Sequence, residues 1–314
     1  MRQAELTMDS RATHARVQPA LSVVIPTRDR GSVIRRAVES ALRSPRNDIE
    51  VIVVDDGSSD DTAVSVSRIA DGRLRLHRLE STGNANRARN LGARMSTAML
   101  VAFLDSDDAF GPTRIDRLIE YFARHPDVDC LIDGYVENGR GASRVHRMPH
   151  GMPDPPEIRR MLLAHILPLT NSAIALRRSA FEAVGGYDES MYRHQDREFL
   201  LRLAAGHSIR FGDGTDVEKN RLARSMSRDV DGYIAGLDAL AARCPDYRLP
   251  ENAEIFRYLT VRGIVKAVVT GRWPAALREV RAWRAAEHLP KDYLGCFAAY
   301  RAGSRQRRLA RDGR

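Results

Sequence analysis

Cysteine is scarce. Cys130, Cys244 and Cys296 are odd in number and widely spaced, which argues against a disulfide framework or a cysteine-based zinc site and fits a reducing cytoplasm. Lysine is scarcer still for a basic chain: Lys219, Lys266 and Lys291 are the only three among 50 Lys and Arg. A GC-rich genome would produce such an arginine bias without any function behind it. Aromatics make up 6% of the chain, and no aromatic-rich basic segment of the kind that stacks bases is present, so specific nucleic-acid binding is not expected. No apolar run approaches the ~18 residues that span a bilayer. Met1 to Ala20 mixes charges of both signs without an apolar core segment and does not read as a signal peptide; residues 1–19 are expected to be a flexible tail.

What is present is ordinary for a soluble globular protein: 314 residues, 43% hydrophobic and 29% charged, enough for one large domain or two modest ones. The formal charge of +9 suits anionic partners such as nucleotide diphosphates or acidic lipid surfaces.

The most informative stretch is Val101-Ala102-Phe103-Leu104-Asp105-Ser106-Asp107-Asp108. Its apolar half reads as a buried strand, so its carboxylates sit where a strand leaves the core. Crowded carboxylates raise one another's pKa, and a hard divalent cation held by one or two of them plus substrate phosphates removes that cost. The competing reading is a helix-capping cluster ahead of Pro112.

Upstream, Leu21 to Ile25 closes on Pro26-Thr27, and Glu50 to Val54 closes on Asp55-Asp56-Gly57-Ser58. Helical spacing through Val33, Ile34, Ala37, Val38, Ala41 and Leu42, then Val64, Val66 and Ile69, then Asn86 to Met95, alternates with these runs. The pattern implies a mostly parallel sheet covered on both faces. Such sheets bind ligands at the carboxyl ends of their strands. Asp-Gly-Ser alone is an ordinary turn; polar clusters at three successive strand ends point to a site.

Glu137 to Pro156 is rich in Gly and Pro and reads as an exposed loop long enough to cover a substrate. His194-Gln195-Asp196 leads into an apolar helix, which aims Asp196 along the positive end of the helix dipole; plain capping is the other reading. His194 itself reads as a surface residue. Past Thr215 four helices are expected, over Tyr233–Ala242, Ile255–Val269, Ala275–Ala286 and Tyr293–Tyr300, followed by an arginine-rich tail.

Ser22-Val-Val-Ile-Pro-Thr27, Val53-Val-Asp-Asp-Gly-Ser-Ser-Asp60, Ala88-Arg-Asn-Leu-Gly92 and Phe103-Leu-Asp-Ser-Asp-Asp108, followed by Asn171-Ser172, Gly185-Gly-Tyr-Asp-Glu189 and Gln195-Asp196, resemble the inverting family 2 glycosyltransferases. The resemblance covers about Leu21 to Ser227. It implies a GT-A fold, an α/β architecture with a Rossmann-like, mostly parallel sheet, over residues 20–227, with a helical extension and basic tail over 228–314. It implies a nucleotide-diphospho-sugar donor, UDP by family habit, and Mg²⁺ or Mn²⁺. Pro26, Thr27 and Asp56 would face the base and ribose, Asp105 the ribose or the metal's outer shell, and Asp107 the metal directly. Arg89 would touch phosphate, weighed evenly against a helix-surface arginine. Asp196 would be the general base toward a glycan, glycolipid or small-molecule acceptor.

Two positions depart from the family pattern. Gln195 stands where a glutamate is common. The histidine often found before a Ser-x-Ser is missing ahead of Ser225-Met-Ser227, where Arg224 could clamp phosphate instead; the only histidine after His207 is His288. A nucleotidyltransferase on a similar sheet, and a catalytically weak basic scaffold, are the alternative readings. The expected location is cytoplasmic. The C-terminal helices are expected to pack on the catalytic domain or form a homodimer interface, and the tail to touch anionic membrane peripherally.

Overall fold

The structure, a computed structural model, describes residues 18–80, 83–139, 141–151, 153–220 and 231–312, the stretch 304–312 by backbone alone. Arg224 and the Ser-x-Ser segment lie outside the described residues.

The apolar runs of the N-terminal half become strands. β1 (Leu21–Thr27) and β2 (Ile49–Asp55) are buried at every position, as strands covered on both faces must be. Between them α1 (Ile34–Leu42) turns Ile34, Ala37, Val38 and Ala41 inward. α2 (Thr62–Ser67) leads to β3 (Leu74–Arg78), and α3 (Ala85–Met95) to β4 (Leu100–Phe103). The start of α3 is fixed by Asn84, whose side chain accepts from the backbone N–H groups of Asn86 and Arg87, the usual economy at a helix N-terminus.

The chain continues through β5 (Ala109–Phe110), α4 (Arg114–Arg124), β6 (Cys130–Ile132), β7 (Tyr135–Asn138), β8 (Ser143–His146) and α5 (Pro155–Leu163). After a 3₁₀ turn at Asn171–Ala173 come β9 (Ile174–Arg177), α6 (Arg178–Ala183), α7 (Gln195–Leu203), β10 (Ile209–Phe211) and β11 (Val217–Asn220). Four helices end the chain: α8 (Tyr233–Arg243), α9 (Ala253–Val269), α10 (Trp273–Ala285) and α11 (Tyr293–Asp312). The last runs well beyond the expected Tyr300, through arginines that are good helix formers.

The main sheet has seven strands in the order β10-β6-β9-β4-β1-β2-β3. β3, β2, β1 and β4 run parallel; β9 runs antiparallel between β4 and β6. β2 and β4 flank β1 on opposite sides, so the chain reverses its winding there. Crevices for ligands open at such a reversal.

A second sheet, β5-β11-β7-β8, was not expected. It corrects the loop reading of Glu137 to Pro156: β7 and β8 form an antiparallel hairpin pairing Tyr135 with His146 and Asn138 with Ser143. The glycines that suggested a loop make its turn, with Gly141 at φ +87°, a conformation that costs glycine little.

The C-terminal helices share the core of the α/β half. One apolar cluster runs from Val24 and Phe103 through Phe181 and Phe199 to Leu237, Leu259 and Trp283. Full burial of each such side chain is worth about 1.5–3 kcal/mol. Among the described residues no helix is long and apolar enough to cross a membrane.

Candidate active site

A cavity of about 660 Å³ opens at the winding reversal. Pro26, Thr27, Asp56, Arg89, Asp105, Asp107 and Asp196 all line it. Every sequence-predicted site residue within the described part of the chain therefore reaches one space.

Thr27 ends β1. Its carbonyl accepts the Asp56 N–H at 2.9 Å, which locks the ends of β1 and β2 together. The Thr27 hydroxyl is buried and without a partner among the described residues, a cost of about 1–3 kcal/mol that a polar ligand would relieve. Asp56 accepts the Asn84 N–H at 2.9 Å, tying this end of the cavity to the start of α3.

Beyond β4 the chain turns sharply, with the Asp108 N–H donating to the Asp105 carbonyl at 2.9 Å. Ser172 holds this turn from the side. Its Oγ accepts the Asp105 N–H at 3.0 Å and donates to Asp108 Oδ2 at 2.6 Å. Asp108 thus faces inward and braces the turn, while Asp105 and Asp107 face the cavity.

Arg89 is not a helix-surface arginine. It is 4% exposed, donates from Nη2 to Asp105 at 2.7 Å and from Nη1 to Asn86 at 3.1 Å, and lies over the Tyr187 ring. Among the described residues only its Nε is buried without a partner. Helical periodicity could not reveal this burial, because the surrounding wall comes from Tyr187, almost a hundred residues on.

That wall explains the Gly185-Gly-Tyr-Asp-Glu motif. The Asn90 side chain clasps the Tyr187 backbone, accepting its N–H at 2.8 Å and donating to its carbonyl at 2.8 Å. Gly186 has φ +70°, and a Cβ there would meet Asn90 Oδ1 at 2.6 Å. Gly92 lets α3 settle on β1, since a Cβ would come within 2.3 Å of Val24. The motif glycines and asparagines thus join the two halves of the cavity.

The electrostatics divide the carboxylates. Burial pushes the Asp105 carboxyl up, but Arg89, Lys219 and Arg30 outweigh it and hold the group below the usual carboxylate range. Burial and then the Asp105 charge raise Asp107, against the weaker pull of Lys219 and Arg30; its carboxylate faces the cavity. Burial pushes Asp108 up to about 7 against the pull of Lys219. Lys219 Nζ donates to Thr170 Oγ1 at 3.0 Å and lies 3.8 Å from Asp108.

Asp196 sits in the first turn of α7, accepting the Arg197 N–H at 2.8 Å. His194 corrects the surface reading. It caps α7 in a left-handed conformation, φ +59°, with its ring between His165 and Tyr233 at centroid distances of 5.0 and 5.5 Å.

Two oxygen-donor carboxylates facing one space suit a hard cation. Among the described residues no three His, Cys, Asp or Glu side chains converge. A Mg²⁺ or Mn²⁺ ion there would take Asp107 and Asp105 and complete its shell with oxygens from a ligand, as such ions do with phosphates. The open Asp107 carboxylate fits that role.

The family model for glycosyl transferase family 2 matches residues 22–185, the stretch that supplies the cavity lining from Pro26 to Asn171. The chain belongs to glycosyl transferase family 2. It is 30% identical, over 90% of its length, to a pre-mycofactocin glycosyltransferase of Mycobacterium tuberculosis, and 26% identical, over 58% of its length, to an uncharacterized glycosyltransferase of Haemophilus influenzae. The matches span 63% and 61% of those relatives' own lengths. In fold it is similar to Staphylococcus aureus TarS 1–349 in complex with UDP-GlcNAc, at TM-score 0.65 and 17% identity, with 92% of each chain covered. It is also similar to the mannosyltransferase PcManGT from Pyrobaculum calidifontis in complex with GDP-Man and Mn²⁺, at TM-score 0.55 and 19% identity, covering 92% of this chain and 80% of that one. The family 2 chain thus has the GT-A fold, a central sheet flanked by helices, with C-terminal helices added.

Sequence reading missed the cations of this family 2 site: Arg30, Lys219, Arg193, Arg262 and Lys266 all line the cavity. The rarity of lysine was the available signal, since two of the chain's three lysines are among them.

Proposed function

We propose that the protein is an inverting glycosyltransferase that moves a sugar from a nucleotide-diphospho-sugar, with UDP as carrier, to a hydroxyl of a glycan, glycolipid or small-molecule acceptor. One observation carries the reading: Asp107 and Asp196, 89 positions apart in the chain, line the same cavity. Thr27 and Asp56 would receive the nucleoside at one end, and Asp196 the acceptor at the other.

In the reaction the acceptor oxygen attacks the anomeric carbon while Asp196 takes its proton. The anomeric carbon–oxygen bond breaks on the opposite face and its electron pair leaves with the diphosphate. One displacement inverts the configuration, so a second carboxylate nucleophile is not needed. Arg30 and Lys219 stand on the side of Asp105 and Asp107, where negative charge builds on the leaving group. Bound Mg²⁺ or Mn²⁺ would offset that charge as a Lewis acid. Structural neighbours that hold UDP-GlcNAc or GDP-Man with Mn²⁺ support the donor class.

A thermal-shift screen of uridine, guanosine, thymidine and cytidine diphospho-sugars tests the reading. A ligand of the folded state raises its stability with occupancy, so a uridine donor with Mn²⁺ should give the largest shift. No shift from any donor would sink the proposal. The proposal extends to the tail: Leu294, Phe297 and Arg301 lie exposed on one face of α11, suited to an anionic leaflet at up to about 1 kcal/mol per cation. Co-sedimentation with anionic vesicles should fall with salt and with removal of residues 301–314.

A further inference from the structure

The cations of the cavity form two sets. Arg30, Arg89 and Lys219 act on Asp105 and Asp107. Arg262 and Arg193 act instead on Lys266, which lines the cavity with them. The second set belongs to the Asp196 end: Arg193 directly precedes the His194 cap of α7, and Arg262 acts on both His194 and Tyr233. Tyr233 fixes α9 there, since its ring packs so closely over Gly263 that a Cβ would meet it at 2.2 Å.

Arg262 and Lys266 are four residues apart on α9 and both line the cavity. Like charges at this spacing destabilise a helix by about 0.2–0.5 kcal/mol. Neither side chain donates to a carboxylate among the described residues. Several other cations are answered by acids, as in Arg36–Glu218, Arg243–Asp188 and Arg278–Asp231. The lining as a whole carries seven Arg and Lys against five Asp and Glu, so it favours an anion before any metal adds charge.

The lysine is informative too. In a chain that uses arginine almost throughout, Lys291 stays where an ammonium donates to three carbonyls at the end of α10, and Lys219 among three carboxylates. Each suits a compact point charge better than a planar guanidinium. Lys266 has no such partner among the described residues, and its position beside Arg262 supplies the reason for keeping it.

We propose that Arg262 and Lys266, with Arg193, form an anion subsite for the acceptor, binding a phosphate or carboxylate carried by the molecule whose hydroxyl is presented to Asp196. This rests on the glycosyltransferase reading and adds the acceptor's charge to it.

The test uses the full chain saturated with UDP and Mn²⁺, titrated calorimetrically with glucose 6-phosphate, glucuronate or neutral glucose. One of the anionic sugars should bind measurably more tightly than glucose, and the comparison of the two identifies phosphate or carboxylate. Lys266→Gln, at an exposed position that folding does not need, and Arg262→Gln should each weaken that probe about tenfold while changing UDP affinity by less than about twofold. The proposal is overturned if glucose binds as well as both anions. It is equally overturned if the substitutions weaken UDP as much as the probe, because the cations would then serve the donor diphosphate. Should UDP fail to bind the wild-type chain, the donor reading falls, whereas the anion titration without UDP still reports on the subsite.

Discussion

Arg89, nearly buried in the cavity wall, holds the Asp105 carboxylate at 2.7 Å. Asp105 and Asp107 are therefore not equivalent, although only one residue separates them. One is committed to an internal cation, and the other is open. Partners that orient a ligating group typically matter by about 10–100-fold in metal affinity or activity when lost. Arg89→Gln should lower metal-activated turnover by that order and raise the Mn²⁺ concentration needed for half-activation. Mn²⁺ titrations of activity check this; an unchanged half-activation point would mean that Arg89 only packs.

Asp107→Asn and Asp196→Asn should separate cleanly. The first removes the open carboxylate, so UDP binding should lose its dependence on Mn²⁺. The second leaves that dependence intact and lowers kcat by roughly 10²–10⁴, the contribution of a positioned base. Calorimetry with and without Mn²⁺, next to single-turnover rates, distinguishes them. If Asp196→Asn keeps near wild-type kcat, the base is another residue.

The strand-end carboxylates were legible because each follows a fully apolar, β-branched run, and such a run can only be a buried strand here. Asp196 was legible because a polar loop enters an apolar helix. Lys219 was not: β11 is four residues long with one apolar side chain, Val217, and gives no period to read. Arg262 and Lys266 looked like any cations on a helix, since their exposure to a cavity depends on how α9 docks on Tyr233. The burial of Arg89 was hidden for the same reason. Local spacing reports which face of a helix is polar, not whether a distant motif will cover it. The hairpin of β7 and β8 was hidden by turn residues that serve a hairpin as well as a loop.

The Gly185-Gly186 motif makes a stability prediction. Gly186 needs positive φ and the space occupied by Asn90 Oδ1 and the Phe181 ring. Gly186→Ala should cost about 1–3 kcal/mol, whereas Gly206→Ala, with nothing within 4 Å of its added Cβ, should stay within about 0.5 kcal/mol. Urea unfolding of the two variants provides the comparison.

A buried ionic network ties α4 to the residues that follow β6 and precede β11. Arg114 and Asp133 are fully buried partners, and Arg117 bridges Asp133 and Asp216 at 2.9 and 2.8 Å. Removing one partner of a buried pair strands the other's charge, at about 3–5 kcal/mol. Asp133→Ala should destabilise the fold by that order in urea unfolding, well beyond the effect of Glu120→Ala, whose exposed pairing with Arg124 is worth about 0.3–0.5 kcal/mol.

His194 gives the fold an acid limit. Burial, followed by the charges of Arg197, Arg193 and Arg262, pushes its imidazole from the ordinary 6.5 down to about 3. The His165 ring and Tyr233 pack on either side and offer no counter-charge, and Nε2 is buried without a partner among the described residues. The folded state therefore keeps His194 neutral where the unfolded chain binds a proton. Stability rises with pH wherever the unfolded state holds more protons. The contribution is thus fully present above about 6.5 and lost progressively as the pH falls toward 3. His194→Asn removes the titrating ring, and asparagine accepts the left-handed backbone better than most residues. The variant should unfold more easily near neutrality, through lost packing, yet lose less stability than the wild type between pH 6.5 and 4. Urea midpoints measured across that range test it: parallel curves for the two proteins would show that His194 does not set the acid limit.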